Sequence, residues 1–132
     1  MPARALIIED NPANLELAKY LLEAHGYSTL SATHGAEGVR IVRESHPDFV
    51  VCDLQLPVLD GYGVLSAVRN DPELRGTPVI AVSAFSMPGD SSKALSAGFD
   101  GYISKPIDPE RFVEQIEAYL RPELRARPPP AR

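Results

Sequence analysis

The sequence predicts an α/β fold in which helices cover a doubly wound parallel sheet of five strands. Short apolar runs alternate along the chain with segments whose apolar residues recur at helical spacing. The central runs show no polar alternation, which is typical of parallel strands that are buried on both faces. Five strand–helix pairs in succession favour a doubly wound sheet.

The first pair illustrates the local signals. Residues 5–8 form an apolar run, and the run ends at Glu9 and Asp10. Asn11 is a favoured N-cap residue, and Pro12 is favoured at the first helical position. Gly26 predicts the end of this helix near residue 25.

The later elements follow the same pattern. The second strand is weaker and contains small polar residues, as an edge strand allows. The predicted strands are 27–32, 49–52, 79–82 and 101–104, and the predicted helices are 35–44, a segment around 64–68, 90–97 and 112–120. Pro122 and the prolines at 128–130 stand among arginines, so we expect a domain of residues 1–121 and a disordered tail of residues 122–132.

Composition restricts the class of protein. The 132-residue chain is 44% hydrophobic and 23% charged, which fits one soluble domain. Its net charge is −5, and the last twelve residues carry +3, so residues 1–120 carry −8. Because nucleic-acid-binding surfaces are normally basic, we expect no direct nucleic-acid partner.

The expected location is the cytoplasm. No apolar run approaches the roughly 20 residues that a membrane span needs. The start of the chain leads directly into the first strand, without a secretory signal, and Met1 favours a natural N-terminus. The single cysteine, Cys52, excludes an internal disulfide and fits a reducing compartment; we expect it to be a core residue.

Reactive side chains follow four of the five predicted strands. They are Glu9 and Asp10 after the first strand, Asp53 after the third, Ser83 after the fourth and Lys105 after the fifth. Ligands of open parallel sheets bind beyond the carboxyl ends of the strands, so these groups should share one crevice. Each residue alone is more often a turn, capping or surface residue, and only their joint placement indicates a site.

This set of groups indicates phosphoryl transfer. Three carboxylates need a counter-charge, and an oxygen-only ligand set suits Mg²⁺, which also shares phosphate oxygens. A carboxylate such as Asp53 can attack phosphorus and form an aspartyl phosphate. Lys105 and the metal would then neutralise charge on the transferring group.

The motifs as a set resemble the receiver domains of bacterial response regulators, the CheY-like superfamily. The resemblance covers residue 4 to about residue 121 and is strongest to single-domain members. Its motifs are Ile8-Glu9-Asp10-Asn11, Asp53-Leu54-Gln55-Leu56-Pro57 with Asp60-Gly61, Ser83-Ala84, and Lys105-Pro106. Glu9 stands where many members have aspartate, and Ser83 where threonine is commoner; both keep the chemistry.

The resemblance implies a flavodoxin-like sheet of order 2-1-3-4-5 and a role for each site residue. Asp53 would accept the phosphoryl group, and Lys105 and Ser83 would contact its oxygens. Tyr102 would turn inward with Ser83 as part of the activation switch. The ligands for Mg²⁺ would be the carboxylates of Glu9, Asp10 and Asp53 and the main-chain carbonyl of Gln55. The Lys105–Pro106 bond would be cis.

The resemblance also implies partners. A histidine kinase or histidine phosphotransferase would donate the phosphoryl group, and a downstream protein would bind the face of the fourth helix, fifth strand and fifth helix, near Tyr102 and Arg111. The chain would be a signalling module rather than an enzyme, although it would assist its own Mg²⁺-dependent phosphorylation and dephosphorylation. Gln55 and Phe85 would border the approach of hydrolytic water, and the bulk of Phe85 predicts a long-lived phosphorylated form.

Three alternatives remain open from the sequence. The domain could belong to a longer regulator or hybrid kinase. A phosphatase of the haloacid dehalogenase type also forms an aspartyl phosphate, but it expects an aspartate where Gln55 stands. A flavodoxin would place a flavin phosphate after the first strand, where Glu9 and Asp10 would repel it.

Overall fold

In the computed structural model, which describes residues 3–84 and 87–125, five parallel strands form one sheet of order β2-β1-β3-β4-β5. The strands are β1 (Arg4–Ile8), β2 (Ser28–Ala32), β3 (Phe49–Asp53), β4 (Val79–Ser83) and β5 (Gly101–Ser104). The helices are α1 (Pro12–Ala24), α2 (Gly35–Ser45), α3 (Gly61–Arg69), α4 (Asp90–Ala97) and α5 (Phe112–Glu117). The predicted fold class and strand order are confirmed.

The sheet separates two cores. Leu6, Val50 and Ala81 point to the side covered by α2, α3 and α4. Their neighbours in sequence point to the opposite side, where α1 and α5 lie. Successive side chains of a strand point to opposite faces, so apolar runs without alternation fill both cores at once. Phe49 and Phe112 are the largest fully buried side chains, and both belong to the second core.

The residues that were predicted to begin and end the first helix do so in the structure. The Asn11 side chain accepts a hydrogen bond from the Asn14 amide at 3.0 Å, with Pro12 opening α1. Gly26, just after α1, has a φ of 99°, a conformation that side chains rarely adopt. The last helix is shorter than predicted, because α5 ends at Glu117, yet Leu120 beyond it is still buried.

The segment that follows residue 121 begins with a short turn. Pro122–Leu124 form a single 3₁₀ turn, and Leu124 packs against the α1–α5 core. An apolar side chain that reaches the core stabilises a short turn even between prolines and arginines. Residues 126–132 of the predicted tail lie outside the described residues. Within the described ranges, no helix is long and apolar enough to cross a membrane.

The loop between β3 and α3 is fixed by close contacts. The Asp60 side chain caps α3 by accepting a hydrogen bond from the Gly63 amide at 3.0 Å. A Cβ atom on Gly61 would lie 2.7 Å from the Asp53 carbonyl oxygen, so only glycine allows this approach. Val58, fully exposed in the same loop, has a φ of 66°, which is strained for a β-branched residue. The contacts around α3 therefore hold the loop against the end of β3.

Candidate phosphoryl-acceptor site

The register of the sheet brings the predicted residues together. Ile8, Cys52, Ala81 and Tyr102 lie side by side across β1, β3, β4 and β5. The residues that follow Ile8 and Cys52 are Glu9 and Asp53, so both acids leave the sheet at the same level. Ser83 lies one residue further along β4 than the partner of Asp53, Val82. The carboxyl edge of the sheet thus forms the predicted crevice.

Asp53 is held through both carboxylate oxygens. It is 3% exposed at the end of the central strand β3. Its Oδ1 accepts a hydrogen bond from the Gln55 amide at 2.9 Å, and its Oδ2 lies 2.8 Å from the Lys105 ammonium. Fixed donors on both oxygens leave little rotational freedom to this carboxylate.

Lys105 joins the two buried acids. Its Nζ atom lies 3.0 Å from Glu9 Oε1 and 2.8 Å from Asp53 Oδ2. The other Glu9 oxygen, Oε2, accepts a hydrogen bond from the Asn11 amide at 3.1 Å. The Lys105–Pro106 bond is cis, as the resemblance implied.

Burial and charge act against each other on these groups. Burial raises the pKa of Glu9 above its ordinary value, and the nearby charge of Asp53 adds to the rise, while the Asn11 amide and Lys105 oppose it. Burial tends to lower the pKa of Lys105, but its hydrogen bonds to Asp53 and Glu9 outweigh this effect and raise it. Lys105 therefore stays charged throughout the physiological range.

Three acids form a cluster at the mouth of the crevice. One carboxylate oxygen each of Glu9, Asp10 and Asp53 lies within 4.8 Å of the others. Glu9 and Asp53 are buried, whereas Asp10 is exposed. With Lys105 these groups carry a formal charge of −2, which a divalent cation would balance. Three carboxylates around one small space are a donor set that fits a hard cation with several water ligands.

Sequence reasoning missed the contacts that the Gln55 side chain makes with the end of β4. Its Nε2 donates a hydrogen bond to the Ser83 hydroxyl at 2.9 Å, and its Oε1 accepts one from the Ala84 amide at 3.3 Å. The resemblance assigned the main-chain carbonyl of Gln55 to the metal and its side chain to the approach of water, but no pattern shows which groups a loop side chain contacts. Ser83 itself is fully buried.

A cavity of about 330 Å³ adjoins this arrangement. Ser83, Gln55 and Tyr102 line it, together with Tyr62 and Lys93. The Lys93 ammonium lies 5.2 Å from the centre of the Tyr62 ring, which is a cation–π contact between two of the lining residues. Ser83 and Tyr102, on neighbouring strands, therefore border the same cavity.

Cys52 and the three histidines do not belong to the site. Cys52 is fully buried, and burial raises the pKa of its thiol, so it is a core residue as predicted. His25, His34 and His46 are exposed, and His34 accepts a hydrogen bond from the Glu37 amide at the start of α2. Phe85, the predicted shield of the phosphoryl group, lies outside the described residues.

Comparisons with known proteins agree with this geometry. Residues 5–117 match the protein family that is described as "Response regulator receiver domain". The sequence is 44% identical over 120 residues to the polar-differentiation response regulators DivK of Brucella anthropi and Brucella ovis, covering 91% of this chain and 98% of each relative. The expected similarity to single-domain regulators is thus confirmed.

Solved structures of other regulators and receiver domains are also similar to this chain. The receiver domain of the sensor histidine kinase PA1611 from Pseudomonas aeruginosa is 29% identical, with a TM-score of 0.81 over 90% of this chain and 98% of that one. That structure is described as holding a magnesium ion in its active site cleft. The chemotaxis regulator CheY4 of Vibrio cholerae, 22% identical, shares the fold with a TM-score of 0.85 over 91% of this chain and 100% of that one.

Replacing Lys105 by methionine should destabilise the protein in a pH-dependent way. Without the ammonium, Glu9 and Asp53 repel each other, and the pKa of Glu9 in the folded state rises further above its unfolded value. A carboxyl group whose pKa is raised in the folded state lowers the free energy of unfolding as the pH rises towards that pKa. The variant should therefore lose about 1–3 kcal/mol of stability relative to wild type at pH 8 and less at pH 5. Urea unfolding at both pH values measures this difference.

The matched control is Lys19→Met, a lysine on α1 away from the cluster. Its stability should differ from wild type by less than about 0.5 kcal/mol at either pH. An equal loss for Lys105→Met at pH 5 and pH 8 would show that the ammonium does not balance the two acids.

Proposed function

The chain belongs to the response regulator receiver domain family, and on that premise we propose that Asp53 is the residue that accepts the phosphoryl group. Receiver domains are phosphoacceptor signalling modules that interact with kinases and downstream effectors. The observation that carries the assignment is the position of Asp53, buried at the end of the central strand with Lys105 against one oxygen. We take residues 1–121 as the domain.

The proposed donor is the phosphohistidine of a histidine kinase or a histidine phosphotransferase. An oxygen of the Asp53 carboxylate attacks phosphorus, the new O–P bond forms, and the P–N bond breaks. The leaving imidazole keeps the bonding electron pair. Lys105, 2.8 Å from Asp53, lies where it can neutralise charge on the phosphoryl oxygens. Because these groups belong to the receiver itself, a small donor such as acetyl phosphate should also serve.

A magnesium ion fits the acidic cluster. The carboxylates of Glu9, Asp10 and Asp53 and the main-chain carbonyl of Gln55 would hold it, and all four are oxygen ligands. When bound, the ion supplies positive charge that neutralises the transferring phosphoryl group. The formal charge of −2 on the cluster with Lys105, and the magnesium in the Pseudomonas aeruginosa receiver, support this proposal.

The proposed output is a change of shape on one face. Ser83 and Tyr102 line the same cavity, so a Ser83 hydroxyl drawn towards the phosphoryl group would leave room for the Tyr102 ring. Phosphorylation would thereby bias an equilibrium between two pre-existing states. The partner surface would be α4, β5 and α5, where Leu95 on α4 and Tyr119 just after α5 are exposed. We place this signalling in the cytoplasm, where a free cysteine such as Cys52 is stable.

Phosphorylation should add one phosphoryl group at Asp53. Incubation with acetyl phosphate and Mg²⁺ should raise the mass of the wild type by a single phosphoryl group, because Asp53 alone among the clustered acids ends a central buried strand. Intact-protein mass spectrometry should detect no such addition in Asp53→Asn. Asp71→Asn, remote from the site, should behave as wild type. An undiminished mass shift in Asp53→Asn would falsify the assignment.

Mg²⁺ binding should depend on Asp10, which is exposed at the mouth of the cluster. Removing one of three carboxylates should weaken the affinity about tenfold or more, and the Mg²⁺-induced rise in melting temperature should largely disappear. Without Mg²⁺, Asp10→Asn should be slightly more stable than wild type, because it relieves repulsion. Melting curves with and without Mg²⁺ measure both effects, with Asp108→Asn as the control. A full Mg²⁺ response in Asp10→Asn contradicts the ligand assignment.

The output proposal predicts where the structure responds. Amide chemical shifts should change on phosphorylation mainly within residues 83–118, because the movement begins at Ser83 and passes to Tyr102. Two-dimensional NMR spectra before and after addition of acetyl phosphate measure this. Changes confined to α1 and α2 would contradict the proposal.

A further inference from the structure

The side chain of Gln55 crosses from the Asp53 strand to the end of β4. Its main-chain amide is bound to Asp53 Oδ1 at 2.9 Å. Its side-chain amide reaches the Ser83 hydroxyl at 2.9 Å and the Ala84 main-chain amide at 3.3 Å. One residue thus contacts the acceptor carboxylate with its backbone and the neighbouring strand end with its side chain.

We propose that Gln55 is a positioning residue that holds Ser83 and Ala84 in the unphosphorylated arrangement and that an arriving phosphoryl group must displace it. This inference rests on the proposed function of Asp53. The Gln55 side chain would act as an internal competitor of the phosphoryl group for the Ala84 N–H at the end of β4.

The competition follows from hydrogen-bonding capacity. The Ala84 main chain has one N–H donor, and Gln55 Oε1 accepts the hydrogen bond from it. A phosphoryl oxygen on Asp53 is a stronger, charged acceptor for the same kind of donor. The buried Ser83 hydroxyl accepts from Gln55 Nε2, so this second contact does not use the Ser83 O–H but holds the Gln55 side chain in place beside Ala84.

Displacing the Gln55 side chain from Ser83 and Ala84 should cost little free energy. Its side chain is half-buried and faces the cavity of about 330 Å³ beside Ser83, so a displaced amide can hydrogen-bond to water. The contacts with Ser83 and Ala84 are therefore reversible. They stabilise the unphosphorylated form by a small amount, and each hydrogen bond is worth about fivefold in an equilibrium.

Beryllofluoride, an analogue of the phosphoryl group, tests the proposal. Its affinity in the presence of Mg²⁺ should be measured for the wild type, Gln55→Met and Gln55→Ala. Methionine keeps the length and bulk of glutamine but makes neither hydrogen bond. Both variants should bind about fivefold more tightly or better than wild type, since the competitor is gone. Gln115→Met, at a half-buried glutamine of α5, should bind as the wild type does.

Each other outcome counts against the proposal. Unchanged affinity in both variants overturns it. Tighter binding in Gln55→Ala alone also overturns it, because bulk rather than hydrogen bonding would then be the obstacle. If the wild type does not bind beryllofluoride, or if Asp53→Asn binds it equally well, the proposed function itself fails, and the inference fails with it.

A spectroscopic measurement separates competition from a general loss of structure. In the free state, the Ala84 amide proton of Gln55→Met should resonate at higher field than in wild type, because its acceptor is missing. With beryllofluoride bound, the two proteins should give the same Ala84 shift. Ala84 shifts that coincide in the free state, or that differ in the bound state, overturn the proposal.

Discussion

Two buried carboxylates on either side of one ammonium group determine the properties of the carboxyl edge of the sheet. Glu9 and Asp53 leave the sheet at the same level, and Lys105 binds both of them. One ammonium balances only one of these two charges, and Asp10 adds a third negative charge at the surface. The formal negative charge that remains supports the proposed binding of a divalent cation.

This arrangement depends on the parallel sheet. Strands that run in the same direction end at the same edge, and the register aligns Ile8 with Cys52, so the acids that follow are neighbours. The β3–α3 loop is then fixed by the close approach of Gly61 to the Asp53 carbonyl. Rigid strands place the acids, and the fixed loop places Gln55, so the donors around Asp53 are arranged before any ligand arrives.

The sequence was sufficient to predict the strands and the grouping of Glu9, Asp53 and Lys105. Buried parallel strands have continuous apolar runs, and the rule for their carboxyl ends is topological, so neither prediction needs atomic detail. The contact of the Gln55 side chain with Ser83 depends on a loop conformation that no periodicity reports. Likewise, the packing of Leu124 against the core depends on where α5 ends, which local composition did not show.

The two cores on opposite faces of the sheet have a consequence for how such a chain can diversify. The layer of α1 and α5 and the layer of α2, α3 and α4 contact different side chains of the same strands. Substitutions that repack one layer therefore leave the packing of the other largely intact. Over evolutionary time, the helices on one face can change sequence and acquire new binding specificities while the opposite layer, together with the strand ends, preserves the chemistry.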